Sequence, residues 1–138
     1  MTDAAAITTY AELIRATTEA HPDADALLFP GQKLTYSELL ARAERRATEL
    51  RALGVGSGDS YGLLLPNGPE LVEFLIGAAL IGAVTVPINT RYKPWELEHV
   101  TRDARLVAIV TTDLVDEFSN FTQLLGAALP GLTTSEDP

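Results

Sequence analysis

A chain of 138 residues has room for one domain around one core, and 46% hydrophobic with 21% charged residues is an ordinary globular composition. Ten Lys and Arg against nineteen Asp and Glu give a formal charge of −9, with no cationic cluster larger than Glu44-Arg45-Arg46, which argues against nucleic acid as a partner. The absence of cysteine excludes disulfides, thiolate metal sites and thiol nucleophiles, and the early Asp3 without a basic segment points away from a secretory signal and toward the cytoplasm.

Thr8 or Thr9 caps a helix through "TTYAELIRATTEA", which Pro22 closes. Ala26 to Phe29 and Lys33 to Thr35 flank a Pro30-Gly31 turn and read as a hairpin. Thr35 and Glu38 stand at capping-box spacing ahead of the clearest helix in the chain. Its apolar face is Leu39, Leu40, Ala43, Ala47, Leu50 and Leu53; Glu38–Arg42 and Arg45–Glu49 are expected as surface pairs, and Gly54 supplies the stop. After "GVGSGD" comes a short buried strand, "SYGLLLP", and Pro69 opens a helix through "ELVEFLIGAALIG". "AVTVPI" follows as a strand, Pro94 opens "PWELEHVTRDA", "LVAIVTT" is a third strand, and "DLVDEFSNFTQLLGAAL" is a last helix. Residues 131–138 read as a loose tail. Strand–helix alternation implies a single α/β domain over residues 1–138, with a mainly parallel sheet, helices on its faces and a short N-terminal hairpin.

The stretch "IGAALIGAVTVPINTRY", residues 76–92, admits three readings. Glu73 is the one charge from Leu71 to Ile88, and a spanning helix needs about 20 apolar residues. Pro66, Gly68, Pro69 and Pro87 bracket the segment, however, and its second half is β-branched, so no transmembrane segment is assigned. A phosphate-binding loop needs its glycines between a strand and a helix, whereas Gly77 and Gly82 lie within or at the end of one, and "GVGSGD" follows a helix. There remains a small-residue helix packed closely on a sheet, with Gly77, Ala78, Ala79, Gly82 and Ala83 removing bulk.

The polar residues point to no chemistry by themselves. His21 reads as a helix-end residue and His99 as helix surface, without the convergent partners a metal needs. Glu96, Glu98 and Asp103 read as a solvated helix face, and Glu70 and Glu73 as carboxylates suited to a helix N-terminus. Asn89 is expected to turn the chain, and Thr90 to cap the helix at Pro94. No residue is assigned a catalytic, cofactor-binding or metal-ligating role.

"LTYSEL" (Leu34 to Leu39) and "AALIGAVTVPINTRY" (Ala78 to Tyr92), with "ELEHVTRDARLVAIVTT" after them, resemble the first two core motifs of the adenylate-forming enzymes. The likeness runs over about residues 8 to 130, and "PINTRY" looks more like fatty-acyl- or aryl-CoA synthetases than peptide-synthetase domains. The resemblance implies a ligase that activates a carboxylate with ATP and Mg2+ as an acyl-adenylate and transfers it to coenzyme A. It also implies that Arg91 fixes the turn after its strand through hydrogen bonds.

The family's phosphate-binding loop, rich in Ser, Thr and Gly and ending in Pro-Lys-Gly, does not occur, and the only lysines are Lys33 and Lys93. The expectation is therefore an inactive N-terminal portion, whether engineered, proteolytic or a truncated product, whose partner is the rest of the enzyme or a second copy. The rival expectation is a stand-alone non-catalytic α/β module acting through self-association or a protein partner.

Overall fold

The computed structural model describes residues 7–113 and 119–132. Helix α1 runs Tyr10–Ala20, and of the two candidate caps it is Thr9 that serves: its hydroxyl accepts the Glu12 amide while the Glu12 carboxylate accepts the Thr9 amide. Strands β1 (Asp25–Phe29) and β2 (Gln32–Thr35) form the expected antiparallel hairpin, with Gly31 supplying the left-handed turn residue at φ 75°. Helix α2 (Tyr36–Ala52) starts on the capping box read from the sequence, with Thr35 and Glu38 exchanging hydrogen bonds of 2.9 and 3.3 Å. It ends where Gly54 turns left-handed and the Val55 amide bonds back to Leu50.

Strand β3 (Ser60–Leu64), helix α3 (Pro69–Ile81), β4 (Val84–Pro87), α4 (Pro94–Asp103), β5 (Ala108–Thr111) and α5 (Phe121–Ala128) follow. The three later strands make a parallel sheet in the order β4-β3-β5, with Tyr61 beside Thr85 and Ala108, and Leu63 beside Pro87 and Val110. The expected α/β architecture is what folds, and β3, the most completely apolar of these strands, takes the centre because both its faces are covered. Its odd residues Tyr61 and Leu63, with Leu65 just past its end, pack with Leu50, Phe74 and Ala78 from α2 and α3. Leu64 points the other way, against Leu97, Phe121 and Leu125 from α4 and α5. Gly62 shares that face, where a Cβ would stand 2.7 Å from Ile88 Cδ1. A third cluster, with Ile14, Leu34, Leu39, Ala43 and Ile76, fastens α1 and the hairpin to the back of α2 and α3.

Several expectations change in three dimensions. The small residues of α3 serve a helix as much as the sheet: a Cβ on Gly77 would lie 2.8 Å from the carbonyl of Ala43, so the tight contact is with α2. Leu53 leaves the apolar face of α2 and is 40% exposed, since Gly54 turns the chain just after it. The pairs Glu38–Arg42 and Arg45–Glu49 do not form. Glu38 is committed to its cap, Arg42 and Arg46 turn toward α3, and Glu49 pairs with Arg46 at 2.9 Å. The last helix begins at Phe121, because Asn120 caps it by accepting the Gln123 amide; residues 114–118 of that expected helix lie outside the described residues, as do 133–138 of the tail. No helix among the described residues is long and apolar enough to cross a membrane.

Candidate functional site

The sheet changes direction at β3. Its outgoing connection, α3, lies on one face and leads to β4, while the next crossover returns past β3 to β5 on its other side, by way of α4 on the opposite face. The loops leaving the carboxyl ends of β3 and β5 therefore part, and in such sheets a crevice opens between them. A cleft of about 350 Å³ stands at that place, between Leu65 to Glu70 after β3, Thr112 after β5, and the hairpin tip from Phe29 to Gln32.

The cleft's chemistry is limited. Among the described residues that line it, Glu70, in the first turn of α3, is the one acidic or basic side chain, and Gln32 and Asn67 contribute carboxamides. Pro69 occupies the first helical position and no side chain caps the helix, so the turn leaves amide donors beside the Glu70 carboxylate. Neither lysine lines the cleft: Lys33 pairs with Asp25 at 2.8 Å on the hairpin, and Lys93 precedes α4. Among the described residues no three His, Cys, Asp or Glu side chains converge to hold a metal ion. Triphosphate needs cations, and this lining offers an anion.

The most organised polar group lies elsewhere. Glu73, read as a helix-start carboxylate, is 2% exposed and bridges α2 and α3: Arg42 reaches it at 3.3 Å and Arg46 at 3.0 Å. Arg46 also pairs with Glu49, and its guanidinium lies 4.9 Å from the centre of the Phe74 ring. The signal was present in the sequence as one acid in an apolar run and two arginines four residues apart on a neighbouring helix. On the sheet face that these helices cover, buried Tyr61 donates its hydroxyl hydrogen to the Phe74 carbonyl at 3.2 Å and accepts from Thr85 at 3.1 Å. Burial pushes this phenol's pKa up, and the Thr85 hydrogen bond opposes the shift.

The remaining residues singled out by sequence do not converge. His21 is the exposed end residue of α1, its amide bonded to the Thr17 carbonyl, and His99 is exposed on α4. Glu98 pairs with Arg102, and Asp103 is exposed, as a solvated face requires. Glu96 departs from that face: its carboxylate accepts the Lys93 amide at 2.8 Å, so Lys93 and Glu96 start α4 in place of Thr90. Asn89 turns the chain by accepting the Arg91 amide at 3.0 Å. The Arg91 side chain is exposed and bonds to no group among the described residues, so the corner is fixed by its amide, not its guanidinium.

The model of the AMP-binding enzyme family matches residues 14–135. A long-chain-fatty-acid–CoA ligase of Bacillus subtilis is 37% identical over 94 residues, 68% of this chain and 17% of its own. A feruloyl-CoA synthase of Amycolatopsis is 41% identical over 91 residues, 66% of this chain and 18% of its own. The chain thus spans less than a fifth of the length of these two relatives. Among solved structures, the inhibitor-bound N-terminal domain of FACL13 from Mycobacterium tuberculosis superposes with a TM-score of 0.75 at 31% identity, over 80% of this chain and 28% of that one. With an α/β sheet of this order, two motifs in their expected places and a family match over nearly all its length, the chain belongs to the AMP-binding enzymes.

Proposed function

We propose that this chain is the N-terminal scaffold of a ligase that activates a fatty or aryl carboxylate with ATP as an acyl-adenylate and passes the acyl group to coenzyme A. The observation that carries the reading is the family match across residues 14–135, with relatives named as CoA ligases of long-chain fatty acids and of ferulate. The described residues do not fit ATP or Mg2+: their lining of the cleft at the sheet's carboxyl edge offers Glu70 and no cation for a triphosphate, and no three of their acidic or histidine side chains converge to hold a metal. No step through those groups is assigned to this chain. Its contribution is a three-layer body whose β3 and β5 ends present loops to the rest of an enzyme.

The 138-residue chain is then inert alone, in the cytoplasm as elsewhere. ATP–pyrophosphate exchange measured with palmitate or ferulate should stay at background, and exchange above background would sink the inert reading. The scaffold reading is tested separately by exchanging residues 14–113 into the Bacillus subtilis ligase. A folded chimera should retain ligase activity, whereas a folded but inactive one overturns the role.

A second reading, a module that acts by self-association, draws on its exposed apolar side chains: Leu28 and Trp95 are 69% and 67% exposed. Sedimentation equilibrium distinguishes it. A concentration-dependent dimer favours association, and a monomer at all concentrations removes it.

A further inference from the structure

The loop from β3 into α3 reads Pro66-Asn67-Gly68-Pro69. In an Asn-Gly pair nothing on the second residue shields its amide nitrogen from the carboxamide of the first, and Asn is among the thermally labile side chains. The chain holds three asparagines, and the structure separates them. Asn89 Oδ1 accepts the Arg91 amide at 3.0 Å, and Asn120 Oδ1 accepts the Gln123 amide at 2.7 Å; each is followed by a residue with a side chain, Thr90 and Phe121. Asn67 is exposed, and its carboxamide bonds to no group among the described residues. Gly68 is the N-cap of α3, so its amide lies outside the helical hydrogen bonds, and it donates to no group among the described residues.

We propose that Asn67 is a site of spontaneous deamidation that recharges the mouth of the cleft. The Gly68 nitrogen gives its proton to solvent base and bonds to Cγ of Asn67, the side-chain nitrogen takes a proton from solvent as its bond to Cγ breaks, and ammonia leaves. Water then opens the cyclic imide. Cleavage at the Cγ carbonyl yields aspartate, and cleavage at the main-chain carbonyl yields isoaspartate, whose backbone is longer by one methylene. In both products a neutral amide becomes a carboxylate two residues before the first turn of α3, beside Glu70. The cleft lining then carries two anions where it carried one, and the isoaspartate form also displaces the loop that forms its wall.

The test is to incubate the folded 138-residue chain at mildly alkaline pH over days and follow it by ion exchange and peptide mass mapping. Glu-specific cleavage after Glu49 and Glu70 isolates Asn67 from Asn89 and Asn120. A more acidic species whose mass change maps to Asn67 alone, accompanied by isoaspartate that an isoaspartyl methyltransferase labels, is expected. Asn67→Gln should abolish it, and Gly68→Ala should slow it several-fold. The alanine Cβ would meet only the flexible end of Glu70, at 3.2 Å, and a circular dichroism spectrum checks that each variant folds. No conversion, equal conversion at Asn89 or Asn120, or conversion only in denaturant would overturn the proposal.

Discussion

At the scale of single residues, the energetics centre on Glu73. Its carboxylate is buried while Arg42 and Arg46 keep 35% and 28% of their side-chain surface in water. Removing the two cations strands a buried anion, whereas removing the anion leaves two cations that can reach solvent. Arg42→Ala with Arg46→Ala should therefore cost about 3–5 kcal/mol in urea denaturation, and Glu73→Leu less than about 1.5 kcal/mol. An equal loss in both variants would refute the asymmetry. Tyr61 gives a pH signature. Its native pKa is raised by burial above an ordinary value near 10. The native state thus holds the phenol proton more tightly than the unfolded chain. That stability is present in full below the unfolded pKa and is lost as pH rises through the folded one. Tyr61→Phe should lose about 0.5–1.5 kcal/mol at neutral pH and flatten the alkaline limb of a thermal-stability profile. An unchanged alkaline limb would contradict the assignment.

At the scale of elements, the chain announces its helix ends more plainly than its side-chain partners. Thr9 with Glu12 and Thr35 with Glu38 both form reciprocal boxes, because those bonds need only neighbours three residues apart. Thr35→Ala should destabilise by about 1 kcal/mol, read as a lower denaturation midpoint without a change in slope. A shift no larger than that of an exposed control such as Ser37→Ala would show the cap to be idle. Glu96 illustrates the other outcome: the same local geometry starts α4, where Thr90 was expected as the cap. The reciprocal half, a carboxylate on the first residue's own amide, suffices. The Arg45–Glu49 expectation failed for a non-local reason, since Glu49 is taken by Arg46 on its way to Glu73.

At the scale of the whole molecule, the fold is a central strand between two helical layers, and its surface is less finished than its core. Trp95, the single tryptophan, is 67% exposed at the start of α4. Its fluorescence should already be red-shifted in the native chain and change little on unfolding, while circular dichroism shows the full transition. A large fluorescence shift coincident with the dichroism change would mean that the indole is covered in solution, by a second copy or otherwise.

The sequence by itself determined the class of fold, the order of the elements, four helix starts, the hairpin turn and the family. Each depends on residues close together in the chain: capping pairs, hydrophobic period, Pro and Gly at ends. Tertiary structure alone decided that Gly77 yields space to the Ala43 carbonyl, that Glu73 is a buried bridge, and that Arg91 turns the corner with its amide. It also decided which residues meet at the carboxyl ends of β3 and β5. Those contacts join segments tens of residues apart. They depend on how strands order themselves in a sheet and on which helix faces meet, and no local pattern records either.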